Sequence, residues 1–271
     1  MVKGLYTAYT GMIYQMKKMD VLTNNLANAD TTGFKKEGTT QIAFDEVLAV
    51  KIKDSSDYNL AKGIGDISLG TKIGQTYRDY SQGAYEVTDN TYDLAIDGNG
   101  FFAVSFTNKA GQSSIKYTRD GAFTLTKEGY LVTKDGDFVL NRDAALSSNG
   151  NVVNGIPQGA IRLDTALDTT IESSGEIYQN GNLVGTIGLI DFADYNYLEK
   201  YGENMYQPVA GATVIDSNAR IDQGNLERSN INVVSEMVDM IQLTRAYETN
   251  QKVITTIDET LDKAVNSVGA L

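Results

Sequence analysis

Asp93 and Asp97 are the carboxylates best spaced to suggest an acid–base pair. On a strand they share a face but stand roughly 13 Å apart, at about 3.3 Å per residue. A glycosidase pair needs about 5–9.5 Å, so two solvent-facing acids are the simpler reading. Asp135-Gly136-Asp137 has the opening letters of a calcium loop. Val139, Leu140 and Leu146 then stand where a third ligand, the turn glycine and the closing glutamate belong. Gly98-Asn99-Gly100-Phe101-Phe102-Ala103 spells a dinucleotide fingerprint, but that motif needs a helix N-terminus behind it, and residues 101–106 are strand formers. Both glycine segments read as turns. The chain has no Cys, His or Trp, which removes thiolate nucleophiles, Cys/His zinc sites and imidazole acid–base chemistry. What remains for catalysis is carboxylates, Lys, Tyr and Ser/Thr, and no catalytic residue, metal ligand or cofactor site is assigned among them.

Composition narrows the class further. The 271 residues carry a formal charge of −12. Residues 1–64 hold 8 basic and 7 acidic side chains, residues 65–228 hold 12 and 22, and residues 229–271 hold 3 and 6. The acidity sits in the middle, and nothing resembles the basic stripe that a nucleic acid requires. No run approaches the roughly 18 apolar residues of a membrane span. Lys3 with Ala27-Asn28-Ala29 imitates a cleaved signal. Thr7, Thr10 and Gln15 interrupt the apolar part, however, and Lys17, Lys18 and Asp20 precede the supposed cleavage site. The segment reads as mature helix.

Two stripes and a glycine-rich middle set the architecture. Leu5, Tyr9, Met12, Met16, Met19 and Leu26 follow alternating gaps of four and three, with Thr23 out of character, over residues 3–28. Val233, Met240, Tyr247, Ile254, Leu261 and Val268 recur every seven residues, with Leu243, Ile257 and Ala264 between them. Glu236 and Asn250 leave two intervening positions polar. Ser229 or Asn230 is the expected N-cap. Of 26 glycines, 20 fall in residues 65–228, where β-branched and aromatic runs alternate with turns. Strands are expected at 93–97, 101–106, 117–125, 129–133, 138–140, 171–178, 183–192 and 213–215. The fold class is α+β: long terminal helices paired in a coiled coil, around a central Gly-rich antiparallel β domain of sandwich or barrel type. A two-helix unit has too little core to stand alone. It should need neighbouring chains to order it.

Several segments together resemble one family. Residues 22–35 (LTNNLANADTTGFK) are similar to the N-terminal signature of flagellar rod and hook proteins. Residues 92–102 (YDLAIDGNGFF) resemble the central motif of that family, and 117–123 (YTRDGAF) and 129–133 (GYLVT) resemble its next hairpin. Residues 223–232 (QGNLERSNIN), 236–241 (EMVDMI), 245–248 (RAYE) and Asn250 match its C-terminal pattern. Residues 80–83 (YSQG) and 201–204 (YGEN) resemble the distal-rod branch. A proximal-rod or distal-rod-like paralogue is the alternative within the family, and an extracellular binding or adhesion module the alternative outside it.

The resemblance implies a non-enzymatic subunit without cofactor, exported uncleaved through the flagellar export apparatus. It would polymerise into a helical tube with copies of itself and meet other rod and hook proteins. By analogy, residues 1–30 and 229–271 form an inner helical domain, 31–75 an extended connecting arm, and 76–228 a β-rich outer domain. Subunit packing is expected of Leu5, Tyr9, Met12, Met16, Met19 and Leu26. On the C-terminal helix it is expected of Val233, Met237, Met240, Ile241, Tyr247, Ile254, Leu261 and Val268. The motif residues carried over are Asn25, Asn28, Thr32, Gly33, Phe34, Asp97, Gly98, Gly100, Phe101 and Phe102.

Overall fold

A computed structural model describes residues 2–51, 62–108, 112–147, 152–153, 156–202 and 204–268. Three α-helices are present among them: α1 (Val2–Ala27), the short α2 (Arg142–Ser147) and α3 (Val233–Lys263). A π-helical turn, Ala264–Val268, continues α3. The N-cap is Asn232, whose side chain accepts from the Ser235 N–H at 3.1 Å. The expected caps Ser229 and Asn230 therefore lie upstream of the helix. Asn230 instead donates to the carbonyl of Ser81 at 3.2 Å. The chain divides into two compact units.

The first unit contains Met1–Ala27, Lys36–Tyr80 and Ile231–Leu271. In it α1 and α3 run antiparallel, side by side. Asn250 Nδ2 donates to Gln15 Oε1 at 3.0 Å, and Asn25 Nδ2 donates to Glu236 Oε2 at 3.3 Å. The 31 residues of α3 extend about 46 Å at about 1.5 Å each. The expected arm is a two-stranded antiparallel ribbon. β1 (Glu37–Ala43) and β2 (Glu46–Lys51) pair with the returning β4 (Thr71–Arg78) and β3 (Lys62–Ser68). The Phe44 N–H donates to the Gly70 carbonyl at 2.9 Å and joins the two ladders. Residues 52–61, within the expected arm, lie outside the described residues.

The second unit contains Asn28–Lys35 and Ser81–Asn230. β5 (Tyr85–Val87) pairs with Asn225–Glu227, and β6 (Leu94–Asp97) with Arg220–Gln223. β7 (Phe101–Thr107) is the central strand of a nine-stranded sheet, flanked on one edge by β8 (Ser113–Thr118). At its other edge it meets Phe138–Val139 and Leu189–Phe192 at successive registers, so the sheet forks. A separate three-stranded sheet, Thr169–Ile171, Glu176–Gln179 and Asn182–Thr186, adds Ile171 and Ile177 to the core. Every strand pairing among the described residues is antiparallel.

The structure departs from the expected strands in specific places. Leu94, Ala95 and Ile96 are all buried, as are residues 101–105. These strands are covered on both faces, so the alternation expected of a half-solvated sheet is absent. Asp93 is buried too, forming an isolated bridge with Ala122. It is not the solvent-facing acid expected from the sequence. The run 117–125 breaks at Arg119, and 171–178 is two strands joined by a turn at Gly175, whose φ is +86°.

Candidate assembly surface and buried ionic knot

The two long helices divide their side chains among one another, the ribbon against which α1 packs, and solvent. On α3 the buried or half-buried positions in the central body of the helix include Val233, Glu236, Met240, Leu243, Tyr247, Asn250, Ile254, Ile257 and Leu261. That is an unbroken alternation of three and four, the heptad legible in the sequence. On α1 the corresponding positions are Leu5, Ala8, Met12, Gln15, Met19, Leu22 and Leu26. Four of the six expected α1 residues therefore face inward. Tyr9 and Met16 are exposed, and Ala8, Gln15 and Leu22 take the intervening places. Met237 and Ile241 are likewise exposed, beside Val234 and Val238. The side chain of Val268 lies outside the described residues.

Gly11 lets the helices approach: a Cβ there would come within 3.1 Å of Asn250 Nδ2, whereas one on Gly4 would make an ordinary contact with Ile257 Cδ1 at 3.8 Å. Near the other end the contact is polar. Asn25 is fully buried; it donates to the Glu37 carbonyl at 2.8 Å and accepts from the Glu37 N–H at 3.0 Å. Glu236, also fully buried, pairs with Lys36. That hydrogen bond raises the Lys36 ammonium above its ordinary range, against the opposing effect of burial. The glutamate that broke the apolar stripe is thus held by two partners from α1 and the ribbon.

A second buried carboxylate organises the other unit. Glu227 accepts from Lys35 Nζ at 2.6 Å, Arg119 Nη1 at 3.1 Å and the Gly83 N–H at 3.0 Å. Its own carbonyl accepts from the Gly33 N–H at 2.7 Å. Lys35 also donates to the Ser81 carbonyl at 2.8 Å, and Arg119 Nη2 to the Gly98 carbonyl at 2.9 Å. The guanidinium lies 5.3 Å from the centre of the Phe101 ring. All three charged residues are almost wholly buried, two cations against one anion. Such groups tolerate burial only when paired and hydrogen-bonded.

The motif residues gather around this knot. Asn28 opens a turn in which its carbonyl accepts from the Thr31 N–H at 3.2 Å. Thr32 Oγ1 donates to Asp120 Oδ1 at 2.7 Å. Gly33 has φ +67° and lies against the main chain of Arg119, where a Cβ has no room. Phe34 is buried, with Lys200 Nζ 4.8 Å from its ring centre. Gly100 has φ +147°, and a Cβ there would meet Ser217 Oγ at 2.6 Å. Phe102 packs edge-on against Phe123 at 5.1 Å in the core. Asp97 is exposed and accepts from the Tyr85 hydroxyl at 3.3 Å. Burial, then the Asp97 charge, pushes that hydroxyl up to about 12.

Lys35, Arg119 and Glu227 stood inside the quoted motifs without a role of their own. Their signal was a charge flanked by residues that bury, as in Phe34-Lys35 and Leu226-Glu227. Asp135-Gly136-Asp137 forms a hairpin turn, with the Gly136 N–H donating to the Thr133 carbonyl at 3.1 Å. Among the described residues no three acidic side chains lie close enough to hold a metal ion. No described helix is long and apolar enough to cross a membrane.

Comparison with known proteins gives three family matches in chain order. Residues 5–35 match the flagella basal body rod protein model. Residues 95–179 match the flagellar hook protein FlgE/F/G D1 domain, and residues 222–267 the flagellar basal body rod FlgEFG protein C-terminal model. Flagellar basal-body rod protein FlgG of Bacillus subtilis is 34% identical over 280 residues, spanning 98% of this chain and 99% of its own. FlgG of Buchnera aphidicola subsp. Schizaphis graminum is 33% identical, covering 97% and 98%. Flagellar basal-body rod protein FlgF of Caulobacter vibrioides is 32% identical, again covering 97% and 98%.

Proposed function

This chain belongs to the flagellar basal-body rod family, and from that premise we propose how its two long helices serve the rod. The protein is a structural subunit of the basal-body rod, not an enzyme, and is most like the distal rod protein. In our reading, copies polymerise through α1 and α3 into a helical tube that carries torque toward the hook. The helices form a coiled-coil domain over residues 1–30 and 229–271, residues 31–75 serve as an arm, and 76–228 as a β-rich domain. Its partners are further copies, other rod and hook proteins and the flagellar export apparatus, through which the chain passes without a cleaved signal into the cell envelope.

One observation carries this reading. After α1 and α3 have covered one another, Tyr6, Tyr9 and Met16 on one helix and Val234, Met237, Val238 and Ile241 on the other remain exposed. A helix pair that has satisfied its inner stripe and still shows a second apolar face has a surface for further helices. Ile241→Asp places a charge on that face without entering the α1–α3 contact. We expect it to abolish rod and hook assembly and motility, while the tyrosine near-ultraviolet dichroism of the β-rich unit stays unchanged. Normal motility in this variant would refute the role given to the face. An adhesion module would instead leave hook assembly intact when the chain is deleted.

A further inference from the structure

In the β-rich unit a cleft of about 280 Å³ opens where residues 30–32, 118–122 and 204–205 meet, with the turn at 133–135 also lining it. Its hydrogen bonds leave a uniform remainder. Thr118 Oγ1 donates to the Asn204 carbonyl at 2.9 Å and accepts from the Asp120 N–H at 3.0 Å. Asp120 Oδ1 accepts from Thr32 Oγ1 at 2.7 Å and from the Ala122 N–H at 3.0 Å. Asp120 Oδ2 and the exposed Asp135 carboxylate have no hydrogen-bond donor among the described residues. Asn204 is the most telling residue. Its Nδ2 donates to the Thr32 carbonyl, which can only accept, so the orientation of the amide is set. Its Oδ1 is then enclosed without a donor, on a residue only 8% exposed. Nearly every buried polar atom has a partner, and one left unmet costs stability.

Every unmet atom in this set is an acceptor. Three carboxylates, Asp30, Asp120 and Asp135, line the cleft with one ammonium, Lys134. Asp30 is already engaged by Arg228 at 2.9 Å. Among the described residues no three acids lie close enough to share a metal ion, so a compact ion finds no cage. Ala122 and Met205 add apolar wall. A guanidinium matches this arrangement. Its donors are spread round a planar fork and reach acceptors that stand apart, and its weakly hydrated faces lie against apolar surface.

We propose that the cleft receives the guanidinium of an arginine side chain presented by another protein. Asn204 Oδ1, Asp120 and Asp135 accept from it, and Asp120 is held in place beforehand by Thr32 and the Ala122 N–H. The cleft lies within the β-rich unit and uses neither helix face, so it stands or falls independently of the rod reading.

The full chain, labelled with nitrogen-15, is titrated with the blocked peptides Gly-Arg-Gly, Gly-Lys-Gly and Gly-citrulline-Gly. The Asn204 side-chain amide and the Ala122 N–H are the NMR reporters. The arginine peptide should shift both saturably with a Kd of about 1 mM, the lysine peptide should bind about fivefold more weakly, and the neutral citrulline peptide should leave both unmoved. Asp120→Asn keeps an oxygen for Thr32 and the Ala122 N–H and should weaken binding about tenfold. Asp135→Asn, at an exposed position where folding is not at risk, should weaken it about threefold, and Lys134→Ala should tighten it about twofold. No saturable shift, or equal binding of the citrulline or lysine peptide, overturns the proposal. Unchanged affinity in Asp135→Asn overturns it too. Free L-arginine binding as tightly as the blocked peptide would make the free amino acid the occupant and overturn the protein source.

Discussion

Replacing Glu227 with alanine strands two buried cations. Lys35 and Arg119 share that carboxylate and are almost entirely withdrawn from solvent. Removing one partner of a buried pair typically costs about 3–5 kcal/mol, because the charge left behind has neither water nor counter-ion. The three-membered knot allows an internal control. Lys35→Met removes the surplus cation, and Glu227 keeps Arg119 and the Gly83 N–H. The hydrogen bonds to Ser81 and Glu227 leave together with the charge that made them, and a smaller loss of about 1–3 kcal/mol is expected. Arg119→Met falls between, since it also frees the Gly98 carbonyl. Urea unfolding followed by tyrosine signals suits a chain with 16 Tyr and no Trp. For a unit of this size, about 4 kcal/mol lowers Tm by roughly 10 °C. A Glu227→Ala variant no less stable than Lys35→Met would refute the reasoning, for Glu227 would then not hold the knot together.

Two further outcomes follow from single residues. Burial, reinforced by Asp135 and opposed by the Thr107 main-chain bond, pushes the Asp137 carboxyl up from 3.8 to about 6. Between those values the folded state binds a proton that the unfolded state has released. Stability therefore falls as pH rises through that window and levels off above it, by about 2–3 kcal/mol in all. Asp137→Asn should flatten the profile and raise stability at pH 7, as read by urea midpoints at pH 4, 5, 6 and 7. Gly33→Ala requires an L residue at φ +67° with its Cβ against the Arg119 backbone. A loss of about 2 kcal/mol or more is expected in the same assay, and an unchanged midpoint would show that the turn can be rebuilt elsewhere.

Periodicity made some elements legible and hid others. The C-terminal heptad was readable because its apolar residues recur without interruption, and the structure turns that face inward. The N-terminal stripe divides between the helix pair and solvent. Leu5, Met12, Met19 and Leu26 turn inward, Ala8, Gln15 and Leu22 hold the places between them, and Tyr9 and Met16 stay exposed. Close approach at Gly11 rewards a small residue there, which hydrophobicity does not encode. The cap fell at Asn232, downstream of Asn230, whose side chain instead donates to Ser81. Asp93 was misjudged because alternation implies one wet face, and β6 has none. The ionic knot was hidden for a related reason. Lys35, Arg119 and Glu227 stand far apart in the chain, and a charge is ordinarily a sign of solvent; only the fold shows that they share one site.

The paired strands of residues 37–51 and 62–78 have a consequence for anyone handling the molecule. Among the described residues each has a strand partner on one side only, leaving a row of amide and carbonyl groups open to pairing with another extended peptide. Ile42, Val47, Leu48 and Ile67 stand uncovered along it, and the exposed Glu46, Asp66 and Lys72 are the charges that oppose such zippering. Concentrated stocks and salt both act on that balance.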